Sequence, residues 1–268
     1  MKSFIANQNR KLSKLALNNI DDLSFSALNK ALRKRDVKVN GKRVSEDVSL
    51  NVGDRVEIYY TAVTVKKFFA IYQDDNILVV NKKSGYTSES LFEDIKNEFE
   101  TARFIHRLDR NTDGIMIFAL NDIAERELLF GFKNRTFDKK YLAHVKGVPT
   151  QKQAVLNAYL VKDSDAALVK IFDHQVPNSA QIKTGYKVVD IKGDTSLLEV
   201  TLYTGKTHQI RAHLSHIGHP IIGDTKYGDF ELNKKLNEKS QKLTAHSLTL
   251  CFNESSPLYY LNKKTFSI

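Results

Sequence analysis

Hydrophobic residues recur along this chain with two periods, and the switches between them mark its elements. In residues 23–35, Ala27, Leu28, Ala31 and Leu32 share one stripe of a 3.6-residue repeat, which predicts a helix capped at Ser24 or Ser26. Lys30, Arg33 and Lys34 fall on its other side. Alternation follows, with Val37, Val39 and Val44 flanking Asn40-Gly41, a strong hairpin signal, and then Val52, Val56, Ile58 and Tyr60. Residues 61–67 read as a linker. Beyond it, apolar runs at 68–72 and 77–81, joined by polar 73–76, predict a second hairpin. The continuous run 115–120 predicts a buried strand, followed by a helix with Asp122 as N-cap and Glu125 three residues on. Residues 140–145 and 196–202 add strands. Ile210, His213, Leu214 and Ile217 form the buried stripe of a helix entered through Thr207 and stopped by Gly218 and Pro220, with Arg211 off that stripe. Strands and helices are mixed throughout, so the fold class is α+β.

Composition narrows the setting. The 268 residues carry 41 Lys+Arg against 31 Asp+Glu, a net charge of +10. One cysteine, Cys251, excludes an internal disulfide and a cysteine-based zinc framework, and points to a reducing compartment. No apolar run approaches the ~20 residues of a membrane span, and residues 1–10 lack the apolar core of a leader peptide. A cytoplasmic monomer is the expectation. The charge is uneven, with 12 Lys+Arg and 7 Asp+Glu in residues 1–60. There Lys30, Arg33, Lys34, Arg35, Lys38, Lys42, Arg43 and Arg55 cluster on one predicted helix and hairpin. Most charged helix faces are simply solvated; a cluster this dense suits a phosphate backbone.

Candidate chemistry sits in two polar segments beside apolar elements. In 103–114, Asp109 lies between Arg107 and Arg110 at the mouth of the buried strand. Either guanidinium, on approaching it, would favour the carboxylate form and leave a nucleophile or base; a structural ion pair is the plainer reading. In 203–220, Arg211 is free to meet a carboxylate from another loop, and Asp109 is the natural one. His208, His213, His216 and His219 invite a metal site, but none of their spacings is the i, i+4 of a zinc helix. No metal is expected, and neither a phosphate-cradling glycine loop nor a nucleophile elbow is present.

Two sets of motifs resemble known families. Val37 to Val44 (V-x-V-N-G-K-x-V) with Val52 to Ile58, following a basic helix, resembles the small S-four-type RNA-binding domain. His106-Arg107-Leu108-Asp109, Lys140-Tyr141-Leu142-Ala143, 204–214 and Gly218 to Gly228 occur in the order of the RluA-type pseudouridine synthases. The resemblance implies three regions: an S-four-type α/β domain over 1–60, a linker over 61–67, and a pseudouridine synthase-like catalytic domain over 68–268 with a largely antiparallel sheet. It implies Asp109 as the catalytic carboxylate, Arg211 as its salt-bridge partner, Tyr141 as a catalytic aromatic beside the flipped base with a later role in removing the proton from carbon 5, and Arg107 entering the RNA stack in the uridine's place. The implied partner is structured ribosomal or transfer RNA, with no cofactor. Lys82-Lys83-Ser84-Gly85 departs from the family's Lys-Pro-x-Gly, Asp113 stands where Ser is usual and Lys206 where Arg is usual. A silent RNA-binding protein and a metal-dependent hydrolase are the rival readings.

Overall fold

A computed structural model describes residues 1–20, 23, 25–60, 67–163 and 167–268. They form two compact units, Met1–Lys66 and Lys67–Ile268. Ser24, the side chain of Ser26 and residues 61–66 of the expected linker lie outside what is described.

The first unit runs β1 (Lys2–Ile5), β2 (Arg10–Lys11), α1 (Leu12–Asn19), α2 (Phe25–Arg33), β3 (Val37–Val39), β4 (Lys42–Val44), β5 (Ser49–Leu50) and β6 (Arg55–Ile58). Its four-stranded sheet has the order β1-β6-β3-β4 and its small one pairs β2 with β5. Leu28, Ala31 and Leu32 of the predicted stripe are buried against Leu12, Leu15, Val37 and Val56. Asn40 and Gly41 take φ of 50° and 78°, the left-handed pair that a twisted two-residue hairpin requires. Val52 departs from expectation: it is 65% exposed in the turn before β6, where only Val56 and Ile58 point inward.

The second unit contains β7 (Phe68–Gln73), β8 (Ile77–Lys82), α3 (Ser88–Glu98), β9 (Arg103–Phe104), β10 (Asp113–Ala119), α4 (Asp122–Asn134), β11 (Asp138–Lys146), β12 (Gln153–Asp163), β13 (Leu168–Phe172), β14 (Ala180–Lys192), β15 (Thr195–Leu202), α5 (Gln209–His216), α6 (Phe230–Lys235), β16 (Leu243–Thr249) and β17 (Thr265–Ser267). An 11-stranded sheet follows the order β13-β12-β14-β15-β11-β16-β10-β8-β7, with β17 on β16 and β9 on β10. Its pairs are antiparallel except β10 with β16. The α+β class and largely antiparallel sheet agree with the sequence reading.

Two helix ends differ from it. Asn121, not Asp122, caps α4, its side chain accepting from the Ala124 N–H at 2.9 Å. Asp122 is thereby the first helical residue, and its carboxylate meets Arg103 at 3.1 Å. Helix α5 is entered not through Thr207 but through His208, in the left-handed region at φ 54° with no side-chain cap. The Gln209 side-chain carbonyl closes that turn instead, accepting from Thr204 Oγ1 (2.9 Å) and the Lys206 N–H (3.1 Å). Residues 209–214 are buried all round the helix, so Arg211 does not lie on a solvent face.

Candidate active site

Asp109 belongs to the loop between β9 and β10, the latter flanked by β16 and β8 in the large sheet, and the loop is pinned from several directions. Ser88 Oγ, at the start of α3, bonds both the C=O and the N–H of Leu108 at 2.9 Å. Gln241 Nε2 donates to Thr112 Oγ1 at 2.7 Å. Lys82 is completely buried, and its Nζ donates to the carbonyls of Lys83 (3.0 Å), Tyr86 (2.9 Å) and Arg110 (3.2 Å). Burial lowers its pKa to about 8 against the opposing charges of Asp113 and Asp109. Gly85 and Arg110 exchange two further bonds of 2.9 Å, Gly85 N–H to the Arg110 carbonyl and Arg110 Nε to the Gly85 carbonyl. Lys83, in the family's proline position, donates its N–H to the Lys67 carbonyl at 2.8 Å, which proline could not do. At the far end of the loop Gly114 has φ +117°, and a Cβ there would strike the Ala245 backbone across the parallel pair. Only glycine lets β10 and β16 approach so closely.

The two arginines flanking Asp109 turn away from it, contrary to the simplest expectation. Arg107 Nη1 pairs with Glu89 at 3.2 Å, and Arg110 is engaged by Gly85 as described. The partner is Arg211, whose Nη1 donates to Asp109 Oδ2 at 2.9 Å. Its remaining edge is held by Asp224, with Nε to Oδ2 at 2.7 Å and Nη2 to Oδ1 at 2.9 Å, a two-bond fork that fixes the guanidinium plane. The Tyr227 ring lies 5.2 Å from Arg211 Cζ. Burial opposes the charge on Arg211, but Asp224 and then Asp109 outweigh it and raise its pKa. Burial likewise opposes the Asp224 carboxylate, and Arg211 reverses the effect so that its pKa is lowered. Asp224 and Tyr227 stood in the sequence motif without an assigned role; the signal was their acidic and aromatic character in a glycine-bounded turn.

Asp109, Arg107, Tyr141 and Arg211 all line one cleft of about 500 Å³, the size of a small-ligand site. Tyr141 stands on β11 with its ring in the core, and burial first, then the Asp109 charge, push its phenol above the usual range. One Asp109 oxygen is held by Arg211, and among the described residues the other has no hydrogen-bond partner. His208 Nε2 approaches Asp109 Oδ2 only to 3.9 Å, while its Nδ1 lies 2.9 Å from the Tyr227 hydroxyl. Burial lowers its pKa and Arg211 adds to that, against the pull of Asp109. His106 is a structural acceptor: its Nε2 takes the Ile117 N–H at 3.2 Å, its ring stacks on Phe132, and burial lowers its pKa to about 3.

The four clustered histidines diverge. His213 Nδ1 meets Thr184 Oγ1 (3.0 Å), His216 Nε2 meets Asp173 (2.8 Å) and His219 Nδ1 meets the Lys146 carbonyl (2.9 Å). Among the described residues no three His, Cys, Asp or Glu side chains converge on a metal-sized point. In the first unit Lys30, Arg33, Lys34, Arg35, Lys42, Arg43 and Arg55 are exposed and Lys38 half-buried. Lys38 lies directly across the ladder from both Arg43 and Glu57. Arg55 pairs with Glu57 at 3.3 Å, and Lys38 Nζ lies over the Tyr59 ring.

Among the residues lining the cleft Asp109 is the acidic one, and a rim holding Lys133, Arg135, Lys139 and Lys206 favours an anionic ligand. The molecule has a cleft of the class that suits a polyanion. Its relatives specify the class. The RNA pseudouridylate synthase profile matches residues 76–216. Ribosomal large subunit pseudouridine synthase C of Vibrio cholerae is 30% identical over 247 residues, covering 82% of this chain and 77% of that protein. The protein of that name from Escherichia coli is 31% identical over 258 residues, with coverage of 85% and 80%. Among solved structures, human RNA pseudouridylate synthase domain containing 1 aligns with a TM-score of 0.64 at 26% identity, over 76% of this chain and 83% of that one. Human RNA pseudouridylate synthase domain containing 4 aligns with a TM-score of 0.58 at 26% identity, over 68% and 83%. The chain belongs to the RNA pseudouridylate synthase family, and its enzyme class is isomerase.

Proposed function

We propose that this enzyme converts uridine to pseudouridine in large-subunit ribosomal RNA, with Asp109 as the carboxylate that acts on the ribose. The observation that carries this is the Asp109–Arg211–Asp224 chain at the floor of the cleft, which presents one free carboxylate oxygen in a fixed place. The isomerisation breaks the bond from the anomeric carbon to nitrogen 1 and forms one to carbon 5; the proton lost from carbon 5 is balanced by one gained at nitrogen 1. It balances without oxidant, reductant or cofactor. Addition of the carboxylate to the anomeric carbon and removal of a proton from the 2′ carbon both need an ionised Asp109 beside the sugar.

Arg211 positions Asp109 and is itself positioned by Asp224. Tyr141, whose phenol burial pushes up, is assigned to packing its ring against the base. Arg107 is the residue for the space the uridine leaves in the stack. Its side chain is 68% exposed, and so open an ion pair with Glu89 is worth about 1 kcal/mol or less, so it exchanges readily for RNA. The first unit, read as an S-four-type module, contributes backbone contacts through its basic helix and hairpin. The relatives' names make large-subunit ribosomal RNA the first substrate to test.

The test uses the purified chain and ribosomal RNA from cells lacking its gene. The wild type is expected to form pseudouridine in the large-subunit RNA. Asp109→Asn is expected to form none while binding the same RNA within a few fold. Substantial turnover by that variant would overturn the role of Asp109, and modification of transfer RNA alone would overturn the substrate.

A further inference from the structure

The rim of the cleft holds more positive charge than the reaction uses. Arg107 and Arg211 have carboxylate partners, Glu89 and the Asp109–Asp224 pair. Among the described residues Lys133, Arg135, Lys139 and Lys206, which also line the cleft, have none at ion-pair distance. The negative end of α4's dipole accounts for Lys133 and Arg135, which sit at that helix's C-terminus. It does not account for Lys139 or Lys206, which lie on β11 and in the turn before α5.

Lys139 is the informative member. It stands two residues before Tyr141 on the same strand and so on the same face, and both line the cleft. Its Nζ is 5.5 Å from the centre of the Phe132 ring and 3.7 Å from where a Cβ on Gly205 would lie, which brings β11, the end of α4 and the 205–206 turn around one ammonium. Burial, then the charge of Arg135, lower its pKa. An ammonium desolvated beside a guanidinium, with no carboxylate to answer it, is costly unless an anion completes the site. Arg135 adds to that cost by occupying the left-handed region, φ 58°, where glycine or asparagine is the ordinary choice.

Resting on the reading of the cleft as the pseudouridylation site, we propose that Arg135, Lys139 and Lys206 form a phosphate subsite for the RNA backbone next to the extruded uridine. The nucleotide is then held at two points, its ribose at Asp109 and its phosphate at this triad. A cationic triad in the cleft itself would fix where along the strand the carboxylate acts, which the basic helix of the first unit cannot do by charge alone.

The experiment uses the full chain and two readouts. In the first, uridine, uridine 5′-monophosphate and uridine 3′-monophosphate compete with ribosomal RNA for the Asp109→Asn protein, in which nothing turns over. At least one monophosphate is expected to compete tenfold or more better than uridine, and that advantage is expected to vanish in an added Arg135→Gln, Lys139→Gln, Lys206→Gln triple variant. In the second, the salt dependence of RNA binding is measured; the triple variant is expected to lose about 0.7 from the log–log slope, the share of the one single-strand phosphate that the triad neutralises. Lys139→Arg is expected to retain both properties. Arg135→Gln with Lys206→Gln, at two exposed positions, reports alone should Lys139→Gln fail to fold. Equal competition by nucleoside and nucleotides, or weaker binding with an unchanged slope, would overturn the subsite. Absence of pseudouridine formation by the wild type would instead overturn the function proposed above, and the binding readouts would still decide the subsite.

Discussion

A single guanidinium, Arg211, meets two carboxylates from loops far apart in sequence, Asp109 and Asp224. Sequence reasoning found the first pair, since a polar loop ahead of a buried strand and an arginine on a buried helix suggest each other. It did not find the second, because nothing in a linear pattern says which carboxylate is 1% exposed and which is 22%. Lys82 was equally hidden, legible only as the first residue of the segment after the 77–81 run, while it is in fact a buried ammonium tying three carbonyls under the Asp109 loop. Its titration gives a test. With a folded pKa of about 8 against the ordinary 10.5, the unfolded chain binds more protons between these values, so stability rises with pH across that window and the burial penalty is complete below it. The full window corresponds to roughly 3 kcal/mol. Lys82→Met loses this slope and also leaves three carbonyls without their donor, so it is expected to be less stable at pH 7 by about 3 kcal/mol. Denaturant unfolding from pH 7 to 10 checks both, the gap between wild type and variant widening as pH rises. A gap that stays constant would mean Lys82 does not titrate there.

At the scale of elements, two helices end alike. In α2 the Arg35 N–H bonds the Leu32 carbonyl (2.9 Å) and the Asp36 N–H the Ala31 carbonyl (2.8 Å); in α4 Arg135 bonds Phe132 (3.4 Å) and Thr136 bonds Gly131 (3.1 Å). Both are Schellman closures with an arginine, at φ 58° in each case, in the position that glycine favours. An L-residue there is strained, and both arginines belong to basic patches assigned to RNA. Arg135→Gly is therefore expected to raise stability by about 0.5–1 kcal/mol while weakening RNA binding severalfold, seen as a higher Tm with a larger Kd. A variant that gains stability and keeps its full affinity would show the arginine to be indifferent to RNA. These closures were not legible beforehand, because helix stops are read from glycine. The strands β7, β8, β10, β11 and β15 were legible from apolar runs and alternation, whereas β12 and β14 were not. Their outer ends place Val155, Val189 and Ile191 in solvent, so the alternation that marks a half-buried strand is broken there. The parallel pairing of β10 with β16 joins residues more than a hundred positions apart and leaves only Gly114 as its local trace.

For the whole molecule, the surplus charge divides between the two units, and the division carries a distinction between gripping RNA and placing it. The first unit's cations are exposed on a helix and hairpin, and Lys38 even faces Arg43 directly across the ladder, an arrangement that repels unless an anion or Glu57 relieves it. Cations of this kind release counterions from the backbone and give affinity without choosing a nucleotide. The cleft cations instead line the same cleft as Asp109, where holding a phosphate would fix register. Neutralising Arg33, Lys34 and Arg35 together is accordingly expected to reduce RNA affinity and to lower the salt slope by about 2, roughly 0.7–0.9 for each phosphate no longer neutralised. The maximal rate on saturating RNA is expected to remain within a few fold, since the interaction is equal in ground and transition states. Single-turnover rates over a range of enzyme concentrations separate the two quantities. A fall in maximal rate with unchanged affinity would mean that the first unit helps to position the uridine, and the division of labour argued from the charge distribution would then be wrong.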